Sequence, residues 1–285
     1  MWTSSPAACR TRTRKRHRGS RRKLAELLFW PALLLYGEAA VGYFGEVRRP
    51  GRAGRVATWG VRLGWLAQTA LLVVQATRDD GFPWGTWAPS LSLFVWLVVS
   101  AYLIWGCRRP FRLLGLVVMP LAVALLVVAH AGGGTGNGSA SRYSNLFLVV
   151  HVGLVLAAFA GFTLAAALSG LYIWQERRLR TRPATILRRQ MPALATLDSL
   201  ALRTVAWSVP LLTLGAAVGL VRLLVRDERL DALIAVTAAT WLVWCAYLGL
   251  RLLGSWTGRR AAYLALAGFA LVIVVRLALP ATHFA

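Results

Sequence analysis

Apolar residues come in long unbroken runs along this chain, each near twenty residues and separated by short, arginine-bearing stretches. A bilayer hydrocarbon core of roughly 30 Å is crossed by about 20 mostly apolar residues in an α-helix. Backbone groups cannot stay unpaired in lipid, so such runs are read as helices. The pattern predicts eight spans, over residues 24–44, 56–77, 88–106, 111–130, 146–175, 203–225, 232–253 and 261–280. Two connections are longer than the rest. Residues 131–145 hold a glycine-rich stretch from Gly132 to Gly138, flexible by composition. Residues 176–202 carry Pro183 and Pro192 among arginines and are expected to be a surface loop. The expected fold is therefore all-α, a polytopic integral membrane protein with about eight transmembrane helices. A basic arm over 1–23, expected to be disordered, precedes a single transmembrane helical domain over 24–285. Gly215 and Gly219 form a GxxxG, and Ala157, Gly161 and Ala165 repeat the same small spacing. Both read as helix-packing faces, where small residues let backbones approach.

Composition agrees with this reading. Apolar residues make up 58% of the chain and charged residues only 15%, against about a quarter charged in a soluble domain. A net charge of +23 would point to nucleic acid in a soluble protein. Here the arginines sit in loops between apolar runs, so membrane lipid is the expected surrounding and nucleic acid is not an expected partner. Arg48, Arg49, Arg52 and Arg55 follow the first run, Arg108, Arg109 and Arg112 the third, Arg177 to Arg189 the fifth, and Arg259 and Arg260 the seventh. The alternating loops hold only Arg78, Arg142, Arg226 and Arg229. Basic residues in short loops favour the cytoplasmic side. That expectation puts the protein in the plasma membrane, with the 131–145 loop and the C-terminus outside. It also puts the basic arm outside if all eight runs cross. Either the first run does not cross, or the arm is not part of the natural product; the consistent bias of the later loops favours the second. Ser20-Arg21-Arg22 resembles a twin-arginine signal, but the following run is long and lacks a small-residue cleavage site, so a retained span is expected.

The chemistry-bearing residues gather at one side. His130 ends the fourth run, His151 lies early in the fifth and His283 follows the eighth, all toward the outer face, whereas His17 lies in the arm. Neutral imidazoles on two helices can clamp a planar haem from opposite sides; a half-polar ring is also simply tolerated at an interface. Arg222 and Arg276, near the outer ends of their runs, either snorkel to headgroups or pair with a ligand's carboxylates such as haem propionates. Glu38 is an acid inside the first run and by that fact a functional candidate. Trp84 and Trp87 stand where belt tryptophans stand, or floor an aromatic shelf. Cys9, Cys107 and Cys245 form no CxxC and no metal-ligand spacing. No nucleophile–base pair, paired carboxylates or phosphate-cradling loop is present, so an enzyme is not expected.

Several stretches resemble the cytochrome c assembly superfamily of haem-handling membrane proteins, the CcsA/ResC type, and especially its HemX-like branch. Asp80-Gly81-Phe82-Pro83 with Ser90-Leu91 and Trp96 is similar to the family's GHFP segment. His151-Val152-Gly153 resembles its HVS helix. Leu197-Asp198-Ser199-Leu200, Arg203-Thr204 and Pro210 to Thr213 resemble one further stretch, and Thr240-Trp241 through Arg251 and Trp256 to Ala262 another. The resemblance runs from about residue 33 to the end. It implies that His151 and His283 take the places of the family's paired haem-ligating histidines; one non-covalent haem b is the expected cofactor, since no cysteine motif would attach it. His130, at the same face, is the competitor for one place in that pair, Arg222 and Arg276 are the expected propionate partners, and Asp231 remains at the place of the family's haem-presenting signature. Two departures matter. The family's tryptophan-rich WWDPKE signature is here Arg229-Leu230-Asp231-Ala232, and Asp80 replaces the histidine of GHFP. They favour a HemX-like haem-binding or accessory role, in cytochrome c biogenesis or haem handling, over complete haem transfer to apocytochrome. Haem and other cytochrome c maturation membrane proteins are then the expected partners. A small-molecule permease, or a non-haem scaffold or regulator of haem-pathway enzymes, is the alternative.

Overall fold

The computed structural model describes residues 6–48, 52–77, 87–106, 114–134, 145–181, 192–226 and 232–278. Among these lie eight helices: α1 Pro6–Arg48, α2 Arg52–Ala76, α3 Trp87–Gly106, α4 Gly115–Ala131, α5 Asn145–Thr181, α6 Leu194–Arg226, α7 Ala232–Leu252 and α8 Arg259–Ala278. Each carries one of the eight expected apolar runs, whole or all but an end of it. Five hold a stretch long and apolar enough to cross a bilayer, while α4 has 17 residues. The protein is an all-α, polytopic membrane protein.

Two expectations are corrected. The arm over 1–23 does not stay disordered over its described part, because α1 is helical from Pro6. Proline suits a first helical turn, where its missing N–H is not needed, and the Ala, Arg and Lys that follow are strong helix formers. The expected loop over 176–202 is also shorter, because α5 runs to Thr181 and α6 begins at Leu194. An i,i+4 pair between Glu176 and Arg180, 2.9 Å apart, supports the last turns of α5. Gln175 then donates from Nε2 to the Pro192 carbonyl at 2.9 Å, tying the two helices together beside the connection.

Helix association in lipid relies on close packing and interhelical hydrogen bonds, and the bundle shows both. The buried core of α1–α4 includes Phe29, Tyr36, Tyr43, Tyr102, Met119 and Leu126, and it takes in Leu164 and Leu168 of α5 and Leu197 of α6. A second core joins α5–α8 around Phe162, Val205, Leu212, Trp244 and Tyr247. Phe162 and Trp244 stack at 4.2 Å and 5°. Polar ties cross α1, α2 and α3. Tyr36 donates to Gln68 Oε1 at 2.8 Å, and Gln68 Nε2 donates to the Ser92 carbonyl at 2.9 Å. Trp65 and Trp96 stack, and each indole N–H finds a hydroxyl on the opposite helix, Ser100 and Thr69 respectively. Both small-residue faces do what their spacing predicts. Gly161 leaves room for Ser208, and Gly215 lies against Leu154 and Val155. Prolines stand inside α1, α4 and α6, at Pro31, Pro120 and Pro210.

The first and fourth helices run antiparallel. His130, at the end of α4, meets Phe29 near the start of the α1 span, while Gly115, at the beginning of α4, meets Tyr43 near that span's end. The first apolar run thus lies in the bundle alongside the others, and residues 6–22 of α1 extend from the end where α4 stops.

Candidate ligand site at the histidine end

One end of the bundle collects the last turn of α4, the first turns of α5, the last turns of α6 and the chain just after α4. Here the imidazole of His151 enters a notch in α6. Its Nδ1 lies 2.8 Å from the Gly215 carbonyl oxygen. A carbonyl only accepts, so Nδ1 carries the proton and donates, and in the neutral ring Nε2 carries the lone pair. The notch exists because two glycines line it. A Cβ on Gly219 would stand 2.6 Å from His151 Cε1, and one on Gly215 would stand 2.8 Å from Val155 Cγ2. GxxxG therefore works here as more than a packing face, since it seats the histidine and fixes its tautomer. A ligating histidine held through Nδ1–H by a backbone carbonyl is a common arrangement in metal and haem proteins. The donor chemistry fits a haem iron.

His130 sits differently. Its ring stacks on Phe29 at 4.1 Å and 14° and meets Trp30 edge-on at 5.8 Å. Its Nδ1 is buried without a hydrogen-bond partner among the described residues. His130 is seated against α1 and His151 against α6. The two share an end of the bundle but not a wall.

The remaining candidates are placed by backbone or lie outside the described residues. Arg222 is on α6, three residues after Gly219. Arg276 is in the last turn of α8. His283, Asp231, Asp80 and Trp84 lie outside the described residues, and His17 falls within α1. α8 packs on α5, and they are antiparallel, because Gly258 just before α8 meets Tyr172 toward the far end of α5. Both helices rise about 1.5 Å per residue, so α8 returns to roughly the level of His151 by its last turn. Trp87 lies with its ring on Gly132, and Gln75 donates from Nε2 to the Gly134 carbonyl at 2.7 Å, closing this end of α2, α3 and α4 together. Glu38 is exposed, on α1.

The opposite end holds a cluster that appears in the sequence only as pieces of a motif. Arg251 at the end of α7 reaches Asp198 in the first turns of α6, with Nη2 3.0 Å from Oδ2; their side chains are 3% and 19% exposed. Arg251 Nη1 donates to the Trp256 carbonyl at 2.9 Å. The Gly258 N–H donates to Asp198 Oδ1 at 3.3 Å. Gly258 has φ of +63°, and a Cβ there would press on the Tyr172 hydroxyl at 2.8 Å. Conformation and space both require glycine. Likewise Trp241 of α7 donates to Thr213 of α6 at 2.8 Å. The Asp198, Thr213, Trp241, Arg251, Trp256 and Gly258 positions of the resemblance thus tie α6, α7 and the start of α8 together. Asp198, Arg251, Trp256 and Gly258 form a polar latch far from the histidines.

Comparison with known proteins agrees with the resemblance. The chain is 26% identical to Protein HemX of Brevibacillus brevis, covering 66% of this chain and 70% of that protein. It is 24% identical to Protein HemX of Bacillus subtilis over 81% and 86% of the two chains. It is 26% identical to the cytochrome c biogenesis protein CcsA of Guillardia theta over 73% and 77%. No solved structure matches. The model of the cytochrome c assembly protein family matches residues 84–280, which takes in α3 to α8, the seated histidine and the latch, and the chain belongs to that family.

Proposed function

We propose that this protein binds one b-type haem non-covalently and serves cytochrome c assembly or haem handling as a binding factor, not as an enzyme. The observation that supports this best is the seat of His151. A histidine whose Nδ1–H is fixed on a helix carbonyl presents Nε2 as its ligand nitrogen. His283 is the proposed second ligand, since α8 returns toward the level of His151 and the chain continues past it. Haem, when bound, would supply an iron that accepts imidazole nitrogens and two propionate charges. Arg222 and Arg276, both on the final turns leading to that end, are the proposed propionate partners through charge-assisted hydrogen bonds. No cysteine pair is spaced for covalent attachment.

The test is the absorption spectrum of protein purified in mild detergent. Wild type is expected to carry a bis-histidine haem. His151→Ala and His283→Ala should each lower occupancy several-fold with protein abundance unchanged, and His17→Ala should change nothing. A double variant that keeps the wild-type spectrum would remove the proposed ligand pair. A wild type without haem would leave the permease and scaffold readings in front.

The proposal extends to orientation in the plasma membrane. Beside the connections between spans, Arg55, Arg177, Arg178, Arg180, Arg259 and Arg260 sit at the latch end, which supports a cytoplasmic latch and an outer histidine end, while the basic stretch at the start of α1 extends from the histidine end. A reporter that is active only outside the cytoplasm, fused after Ala285, should be active. Activity of a cytoplasmic reporter at the same point would reverse the orientation.

A further inference from the structure

Two opposite charges stand exposed on the paired helices α1 and α2, Glu38 inside the α1 span and Arg62 on α2. Glu38 is exposed, and no described residue bonds or pairs with it. It lies eight residues inside Glu46, the end of the α1 span, which is about 12 Å along the helix. Its short side chain cannot reach water over that distance, so a charged or polar partner at the same depth is what it lacks. Arg62 of α2 is also exposed, with its guanidinium 5.2 Å from the centre of the Trp59 ring on its own helix.

The packing of α1 on α2 fixes their relative depth. A Cβ on Gly60 would stand 3.1 Å from the Leu35 carbonyl and 3.6 Å from Ala39, and one on Gly64 would press on Tyr36. Arg62 lies between those glycines and Glu38 lies beside their contacts, so the two charges share a depth to within about one helical turn. Among the described residues they do not form an ion pair with each other. Around them the surface is apolar and open, with Leu34, Val41, Trp59 and Leu66 each more than half exposed.

We infer that two copies of this chain pair side by side in the membrane through this surface, with Glu38 of each copy against Arg62 of the other. A two-fold axis along the membrane normal keeps every residue at its own depth. With the axis placed between the two charges, Glu38 of each copy meets Arg62 of the other, two equal pairs, as an isologous interface requires. A lone acid at this position needs a base at its own depth, and this surface supplies one on the same chain. That complementarity favours a second copy over an unrelated helix. Leaving Glu38 and Arg62 apart would expose two polar groups to lipid; pairing them hides both beneath apolar neighbours.

The experiment co-expresses two differently tagged copies of the full chain and measures co-purification in mild detergent and in lipid nanodiscs. Wild-type copies should co-purify. Glu38→Arg with itself places arginine on arginine, and Arg62→Glu with itself places glutamate on glutamate, so each should lose co-purification at least tenfold. Glu38→Arg co-expressed with Arg62→Glu restores opposite charges across the interface and should recover co-purification well above either self-pair. That recovery also shows that both variants fold. If either charge reversal fails to accumulate, Glu38→Gln and Arg62→Gln carry the test, each expected to weaken co-purification several-fold while the monomer stays monodisperse. Wild-type copies that never co-purify, a mixed pair no better than the self-pairs, or neutral variants that associate as wild type does would each overturn the inference.

Discussion

Replacing Arg251 by alanine is expected to lower the stability of the folded chain by about 3 kcal/mol, the low end for breaking a buried pair. The low end applies because Asp198 remains 19% open to solvent and can recover some hydration. The loss has two parts. Asp198 keeps its charge in a half-buried place, with the Gly258 N–H still donating to it. The Trp256 carbonyl loses its Arg251 donor, and the turn between α7 and α8 loses that tie. Asp198→Leu combined with Arg251→Leu should cost much less than Arg251→Ala, because an apolar pair leaves no orphan charge. Thermal unfolding in detergent, followed by helical circular dichroism, measures both. A single variant as stable as wild type would show that the latch is decorative. Because the latch lies at the end opposite His151, haem held as proposed should keep near wild-type occupancy in the folded fraction.

Gly219→Ala is expected to act in the reverse way. Alanine is worth up to about 1 kcal/mol over glycine inside a helix, and the atom it would strike is on the imidazole of His151, a movable ring. The folded chain should therefore be as stable as wild type or slightly more so. Moving the ring breaks the Nδ1–H bond to Gly215 and releases the tautomer. Under the proposed haem ligation, affinity should then fall about tenfold, equivalent to about 1.4 kcal/mol. Haem titration beside a melting curve reads the two effects separately. Unchanged affinity would mean that the notch does not position the ligand. Gly153, which has nothing within contact distance of a Cβ, provides the control substitution.

These two variants also show what is legible in the sequence. The eight apolar runs are strong signals, because lipid admits few ways to satisfy a backbone, and each is carried by a helix. Helix ends are legible where an apolar run stops abruptly, as at Gly106 of α3 and Leu252 of α7. They are poorly legible where helices continue into water. Arg177 to Arg180 and the turns over 194–202 have no long apolar period, yet local ion pairing and good helix formers extend α5 and α6 there. The common location of His130 and His151 follows from counting spans, since the chain leaves α4 and enters α5 on the same side. Their seats do not follow. That His151 lies on Gly215 and Gly219, and His130 on Phe29, depends on which helices pair, and hydropathy carries no such information. The latch is visible in sequence only as familiar letters. Asp198 and Arg251 are 53 positions apart, and their ion pair gives those letters a mechanical reason.

Pro210 gives α6 a property that neither of its ends shows alone. It stands between the latch at Asp198 and the notch at Gly215. A proline inside a helix removes one rung of the hydrogen-bond ladder and crowds the preceding turn, so bending resistance is lowest there. The lower part of α6 is anchored by the Arg251 ion pair. The upper part meets α5 through glycine-to-side-chain contacts and the His151 bond. The helix thus resembles a reed clamped at its base, with a soft joint halfway up. Bending at this joint would let the notch end of α6 move without loading the latch at its base.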